Sequence, residues 1–330
     1  MQEEPLYPMK FQPIYKTKIW GGDKLKNTLN KKEAPDMAGE SWEISAVKEN
    51  VSILNNGFLR GNSLQELVEI YMGDIVGPKV YEKYGNEFPL LVKFIDANDN
   101  LSVQVHPDDE TAQKRHNAYG KTEMWYILQA EPGAQLVSGF KRPVSKEEFI
   151  ARMNDGNIQE ILNFVDVQAG DVYFIPAGRI HATGAGILFA EIQQTSDITY
   201  RVYDWDRVDS NGKSRELHIE LARDVIDYSP VKKARTDYTE NPDFPARIVS
   251  CPYFTSNFLH LTKPLTKSYA NCESFVIILC MEGKGKLTWD KGSLTIMKGE
   301  TVLIPHELME IMFIPEPETK ILETFIEFDE

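Results

Sequence analysis

Four side chains between Leu101 and Tyr126 have the types and spacing of a reactive centre. Gln104-Val105-His106 continues an alternation begun at Ser102-Val103, the pattern of a β-strand. A strand turns residues i and i+2 to one face, so Gln104 and His106 are expected side by side. After a loop through Pro107, Asp108, Asp109 and Gly120, Lys121-Thr122-Glu123-Met124-Trp125-Tyr126 alternates again and puts Lys121 with Glu123. Two neighbouring strands would then aim an amide, an imidazole, an ammonium and a carboxylate at one point. Imidazole and carboxylate are ligands for zinc and other transition metals. An amide oxygen is weaker, which suits an exchangeable catalytic site more than a closed structural one. A Glu buried among Met124, Trp125 and Tyr126 would be costly without a metal or another cation.

The elements that must position these groups read mostly as strands. Ile19-Trp20-Gly21-Gly22 runs into a turn, and Gly39 to Ser45 alternates, with Glu40, Trp42 and Ile44 on one face. Trp20 and Trp42 read either as core packing or as pocket walls. Ser63 and Glu66 form a capping box for a helix carrying Leu64, Leu67, Val68 and Tyr71, and Pro78 opens a second helix that Gly85 ends. Phe88 to Ile95 is an apolar strand feeding the reactive stretch. A small helical insert is expected at about 143–165, with a Ser145–Glu148 capping box and a second amphipathic helix through Ile158, Ile161, Leu162 and Val165. Residues 214–228 read as one helix. The Pro-rich, charged stretch 229–249 reads as a linker, dividing the chain into 1–235 and 245–330.

Two patterns of the first part recur in the second. Gly170-Asp171-Val172-Tyr173-Phe174-Ile175-Pro176 is echoed by Gly299-Glu300-Thr301-Val302-Leu303-Ile304-Pro305, and 124–131 by 276–283. Such Gly–acid–strand–Pro punctuation marks cupin-type barrels, which are two-sheet jelly rolls. The expected fold is therefore mainly β, two cupin-type jelly-roll barrels with a small helical insert. Five residues after Pro176 stands His181, a second imidazole; five after Pro305 stands Glu310. Aligning Leu128 with Leu279 puts Ser274 opposite Glu123. The second barrel is expected to lack a metal centre, with His260 and His306 as non-ligands.

Composition narrows the partners. With 330 residues, two domains are expected. Formal charge is 36 − 50 = −14, which argues against a nucleic-acid footprint and requires an anionic substrate to find cations concentrated locally. The N-terminal stretch shows no secretory signal, and no run approaches the roughly 18 apolar residues of a membrane span. Cys251, Cys272 and Cys280 lack metal-ligand spacing and read as free thiols of a reducing compartment, so a cytoplasmic location is expected. None of these features speaks to oligomeric state.

VQVHPDD, GKTEMWYIL, FIPAGRIHA and SDITYRVYDW resemble the type I mannose-6-phosphate isomerases, in particular their short bacterial form. The resemblance covers nearly the whole chain, including IWGG and GESWEIS. It implies one zinc ion per chain held by Gln104, His106, Glu123 and His181. It implies active-site roles for Arg201 and Asp197 of the SD-x-x-x-R segment, for Lys121, and for Glu191 in the strand after the ligand His181. Trp20 joins Lys121 and Arg201 as an expected substrate contact. The implied substrate is a small sugar phosphate, and the implied reaction interconverts mannose 6-phosphate and fructose 6-phosphate.

The chemistry agrees with the residues. Moving a proton between C2 and C1 passes through an enediol with negative charge on O1 and O2, which a divalent metal offsets as a Lewis acid. Lys121 and Arg201 could stabilise the same charge or hold the phosphate. The base is open among Glu191, Asp197 and a metal-bound hydroxide. Two His and one carboxylate also form the triad of non-haem iron oxygenases; Gln104, Lys121 and Arg201 argue against that reading. A non-catalytic sugar-binding cupin would show a degraded ligand set, and only the second half is degraded.

Overall fold

The computed structural model describes residues 4–208 and 212–328, so Met1–Glu3 of the stretch read for a leader lie outside the described residues. The first part places twelve strands in two antiparallel sheets. They are β1 (Ile14–Gly22), β2 (Ala38–Ile44), β3 (Leu90–Ala97), β4 (Val103–Val105), β5 (Glu123–Ala130) and β6 (Gln135–Phe140), then β7 (Leu162–Asp166), β8 (Val172–Ile175), β9 (His181–Thr183), β10 (Ile187–Gln194), β11 (Tyr200–Tyr203) and β12 (Arg235–Thr236). One sheet runs β1-β2-β3-β10-β5-β8-β12 and the other β11-β4-β9-β6-β7. β3 is buried along its whole length. Leu90, Val92 and Phe94 face a core shared with the C-terminal part, and Ile95 and Ala97 face Trp125, Leu136 and Tyr173. A strand covered on both faces reads as a nearly unbroken apolar run, and Lys93 and Asp96 are the two ionisable residues inside it.

The C-terminal part is one hydrogen-bonded sheet of β13 (Ala246–Ser250), β14 (Thr255–Leu261), β15 (Leu265–Ser268), β16 (Val276–Trp289), β17 (Gly292–Met297), β18 (Thr301–Ile304) and β19 (Glu310–Phe325). Strands β14 to β19 all contribute to one core, so the sheet curls around it. The two parts share apolar contacts: the Phe88 and Phe275 rings lie 4.5 Å apart and Tyr126 stacks on Phe258 at 5.8 Å. The fold is mainly β, and no helix among the described residues is long and apolar enough to cross a membrane.

Ser63 and Glu66 form the expected capping box, and Pro78 opens the helix Pro78–Tyr84. Three expectations are corrected. Ser145 caps the helix Lys146–Asn154, but the Glu148 side chain pairs with Arg142 instead of closing a box. The second helix of the insert is a short turn at Ile158–Glu160, after which Leu162–Asp166 pairs with β6 as a strand; edge pairing overrides a spacing that fits both periods. Helix 214–228 is only Ile219–Val225, because the residues before it lie along β11: His218 N–H donates to the Arg201 carbonyl at 2.7 Å. The stretch 229–249 is stitched to the first part through β12, which pairs with β8, and through Tyr238, which donates to the Gly170 carbonyl.

Candidate metal centre and active-site cavity

Several of the candidate site residues lie on two ladder rungs, one in each sheet of the first part. Across the smaller sheet, Arg201, Gln104, His181 and Ser138 are in register on β11, β4, β9 and β6. Across the larger sheet, Trp42, Lys93, Glu191, Trp125 and Tyr173 are in register on β2, β3, β10, β5 and β8. Glu123 lies two residues before Trp125 and so shares its face. Antiparallel pairing thus brings residues about 100 positions apart to hydrogen-bonding distance.

His106, Glu123 and His181 are buried and converge: His181 Nε2 lies 3.3 Å from Glu123 Oε1, and His106 Nε2 lies 3.5 Å from Oε2. Among the described residues this is the one group of three or more His, Cys, Asp or Glu that could hold a metal ion, its ligand atoms all within 4.8 Å of one another. Each imidazole donates its Nδ1–H outward to a backbone carbonyl, His106 to Ile198 at 2.9 Å and His181 to Arg179 at 2.8 Å. That leaves both Nε2 atoms facing the centre, since an outward Nδ1–H bond to a carbonyl fixes the tautomer and orientation of a metal-ligating histidine. The Gln104 amide reaches His181 Nε2 at 3.3 Å, and turning the amide over presents its oxygen to the same point. Both Glu123 oxygens are buried without a well-directed hydrogen bond, although Lys121 Nζ lies 2.9 Å from Oε2. Carboxylate oxygens without a well-directed hydrogen bond, beside two inward-facing imidazole Nε2 atoms, fit a divalent cation with mixed N/O ligands.

Burial sets the protonation of these groups. It pushes the His181 imidazole down to about 4, and it holds His106 well below its ordinary range, with Lys121 adding to the effect. Both rings are therefore neutral at physiological pH, as metal binding requires. Burial also raises the Glu123 carboxyl, with Lys121 pulling the other way. Burial opposes the charge on Glu191, but Lys93 and Lys121 overcome it and hold that carboxyl below its ordinary range.

A cavity of about 410 Å³ opens from this centre, and Gln104 and Lys121 belong to both. Its walls carry six basic residues (Lys16, Lys18, Lys93, Lys121, Arg201, Arg215) and three acidic ones (Glu40, Glu191, Asp197). A chain of formal charge −14 has thus gathered cations where an anion would enter. Trp20 and Trp42 are both buried and both line it. Lys93 Nζ donates to Glu191 Oε1 at 2.8 Å and to Gln193 Oε1 at 2.6 Å, while Trp125 Nε1 donates to Glu191 Oε2 at 2.9 Å. Arg201 is held by Ser102 Oγ at 3.3 Å and by the Glu216 carbonyl at 2.9 Å. Asp197 is exposed on the rim, whereas Glu191 is buried in the wall. Lys93, Lys16, Lys18 and Arg215 did not stand out in the sequence. Lys93 had a signal: a lysine inside a strand apolar on both faces must have a buried partner.

The loop between the ligand strands is clasped by Asp109. Its Oδ1 accepts from Gly120 N at 2.8 Å and from Gln194 Nε2 at 2.9 Å, and Gln194 Oε1 accepts from Thr122 N at 2.9 Å. Lys121 and Glu123 flank this clasp. A Cβ on Gly120 would lie 2.6 Å from Asp108 C and Asp109 N, so only glycine fits there.

This architecture has relatives. Residues 9–132 match the family model "Phosphomannose isomerase type I, catalytic domain", and residues 246–313 match "Mannose-6-phosphate isomerase, cupin domain". The chain is 35% identical to the mannose-6-phosphate isomerase ManA of Bacillus subtilis over 313 residues, 94% of this chain and 96% of that one. The chain belongs to the type I mannose-6-phosphate isomerases. A mannose-6-phosphate isomerase of Streptococcus mutans is 34% identical, over 93% of this chain and 95% of that one. The crystal structure of the mannose 6-phosphate isomerase from Bacillus subtilis superimposes with a TM-score of 0.86 at 31% identity, covering 97% of this chain and 99% of that one. A structure from Archaeoglobus fulgidus shares the fold, with a TM-score of 0.79 at 22% identity over 99% of this chain and 100% of that one.

Ladder pairing corrects the alignment of this family member's second half. Ile127 exchanges backbone bonds with Gly170 and Asp171, as Cys280 does with Gly299 and Glu300. Glu123 pairs with Ile175 as Val276 pairs with Ile304. Val276, not Ser274, therefore occupies the position of Glu123, because counting from a leucine slipped the register by two residues. His260 pairs with Glu240 and Glu318, and His306 Nδ1 bonds the Cys272 carbonyl at 3.0 Å.

Proposed function

We propose that the chain interconverts mannose 6-phosphate and fructose 6-phosphate, with one zinc ion held by Gln104, His106, Glu123 and His181. The observation that carries this reading is the cluster of two neutral imidazoles and a carboxylate without a well-directed hydrogen bond opening into a cavity with twice as many cations as acids. An isomerase of sugar phosphates needs both features: a charge sink for the sugar oxygens and cations for the phosphate.

When bound, the zinc supplies Lewis-acid stabilisation of negative charge on O1 and O2 of the sugar. The protein's residues do the rest. Lys121, fixed beside Glu123 and His106, places a cation next to the oxygens as the enediol charge develops. Arg201 and Arg215 line the cavity, and a guanidinium can grip phosphate through two parallel N–H donors. Trp20 and Trp42 wall the sugar and exclude water. Glu191 and Asp197 are the carboxylates assigned to proton transfer: one takes the proton from C2 of the aldose and delivers it to C1 of the ketose. Glu191, kept ionised between Lys93 and Trp125, is oriented without being free to rotate.

The reading includes a division into a metal-binding part, 1–235, and a metal-free part, 245–330. It also includes a cytoplasmic location, which the three free thiols support. A coupled assay for fructose 6-phosphate formed from mannose 6-phosphate tests it. Turnover that chelation abolishes and zinc restores is expected; no turnover by zinc-replete protein would reject it.

A further inference from the structure

The C-terminal sheet holds a second polar cavity that the isomerase reading does not use. It measures about 540 Å³, within the usual range for small-molecule sites. At its base Glu323 is buried, 1% exposed, in what would otherwise be an apolar core. Its carboxylate accepts from Tyr269 Oη at 2.8 Å and Asn257 Nδ2 at 3.0 Å, and Lys267 Nζ lies 2.9 Å from Oε1 and 3.0 Å from Oε2.

The register places this cluster where the first part keeps its active-site wall. With Val276 at the position of Glu123, Ile278 stands for Trp125. Glu323 pairs with Ile278 as Glu191 pairs with Trp125. Asn257 pairs with Glu323 as Lys93 pairs with Glu191. Glu323 is thus the counterpart of Glu191. Lys267 and Tyr269 reach it as an i, i+2 pair, as Gln104 and His106 are in the first part. A lysine supplies the cation inside the second cavity.

A buried ion pair is a poor source of stability, since apolar residues of like volume do as well or better. Its presence at the base of an open cavity, at the position of an active-site carboxylate, points to a ligand. The charges around the cavity are already paired: Lys267 with Glu323, Glu273 with Lys79, and Glu327 with Arg247. No net charge remains among these groups to hold a phosphate, whereas hydroxyls find both donors and acceptors, and Tyr269 and Phe325 give apolar walls.

We infer that the C-terminal cavity binds a neutral polyhydroxylated compound, a sugar or sugar alcohol, at the Asn257–Lys267–Tyr269–Glu323 cluster. The site is separate from the catalytic cavity and lacks a metal. Calorimetric titration of the zinc-loaded protein with methyl α-D-mannopyranoside tests it, because this hexoside carries no charge and its blocked anomeric carbon prevents isomerisation. Binding is expected in wild type and unchanged in Arg201→Ala. Asn257→Ala removes one donor to the cluster and should weaken binding about tenfold, as loss of a hydrogen bond to a charged group implies, while kcat for mannose 6-phosphate stays at the wild-type value. Lys267→Met combined with Glu323→Gln deletes both charges together, keeps the fold by the same ion-pair argument, and should abolish binding. Absence of heat in wild type overturns the inference, as does binding that survives the double substitution or that is lost in Arg201→Ala.

Discussion

Lys93→Met tests the electrostatics of the proposed catalytic cavity most directly. The substitution keeps an unbranched apolar stem and removes an ammonium that reaches Glu191 at 2.8 Å and Gln193 at 2.6 Å. Glu191 then keeps one neutral donor, Trp125 Nε1, in a site where its side chain is 5% exposed. Breaking a buried pair from one side costs about 3–5 kcal/mol. Lys121 still contributes to the field at Glu191, which puts the expected loss at the lower end, about 3 kcal/mol. At roughly 2 °C per kcal/mol for a chain of this size, the melting temperature falls by about 6 °C. Lys93→Met with Glu191→Gln removes both charges and should recover most of that loss. The pH dependence has a definite sign. In wild type the Glu191 pKa lies below 4.5, so its contribution is full above the ordinary carboxylate range and is lost as pH falls through the lowered value. In Lys93→Met burial dominates and raises that pKa. The deficit is then full at neutral pH and shrinks as pH falls through the raised value, where the carboxyl becomes neutral. Thermal denaturation of wild type, single and double variants at neutral and mildly acidic pH measures all of this. A single variant that melts with wild type, or a double variant no more stable than the single, would refute the reasoning.

Three further outcomes follow from the site. Zinc loaded onto metal-free protein should displace a proton from Glu123, whose carboxyl is raised by burial; affinity then climbs with pH up to that raised pKa and levels off above it. Proton release measured in weakly buffered solution should vanish in Glu123→Gln, which should also bind zinc more weakly, and His181, at about 4, should add nothing near neutrality. Arg201→Ala should lower kcat by about 10²–10³, the cost of a lost transition-state donor, with zinc content by elemental analysis unchanged; full kcat would show that Arg201 is not catalytic. Asp109→Ala deletes the acceptor shared by Gly120 and Gln194 and should lower kcat about tenfold through misplaced Lys121. Asp109→Asn keeps an acceptor oxygen and should restore most of that rate in the same kinetic assay.

Two structural features generalise beyond these tests. First, the rungs that carry chemistry are also the rungs that carry register. A slip of one residue in β4 or β5 would turn Gln104 or Glu123 to the opposite face, so the apolar alternation that builds the core also aims the ligands. Second, the cation-rich wall is assembled from β1, β3, β11, the segment before β5 and the segment before helix Ile219–Val225, and no one stretch of the chain looks basic. The excess of positive groups exists only once these elements are folded together.

Much of the site was legible from local pattern. Strand alternation alone pairs Gln104 with His106 and Lys121 with Glu123, and the Gly-to-Pro punctuation delivers His181 to the next strand. Ser63–Glu66 and Pro78 announce their helices because capping and N-terminal proline are local chemistry. The choice between helix and strand for 158–165 was not legible, since Ile158, Ile161, Leu162 and Val165 satisfy a helical spacing while the vacant edge of β6 takes Leu162 and Val165 as a strand and leaves Ile158 in a short turn. The apolar run around Lys93 signals that a buried partner exists, but not that the partner is Glu191, 98 residues away; nor was the equivalence of Glu323 with Glu191 legible, which rests on ladder register and not on residue type. Side-chain identity and its period determine which groups can act together along a strand. Which strands become neighbours is decided by long-range pairing and burial, and that decision placed Lys93 on Glu191, Arg201 in register with Gln104, and Val276 where Glu123 would stand.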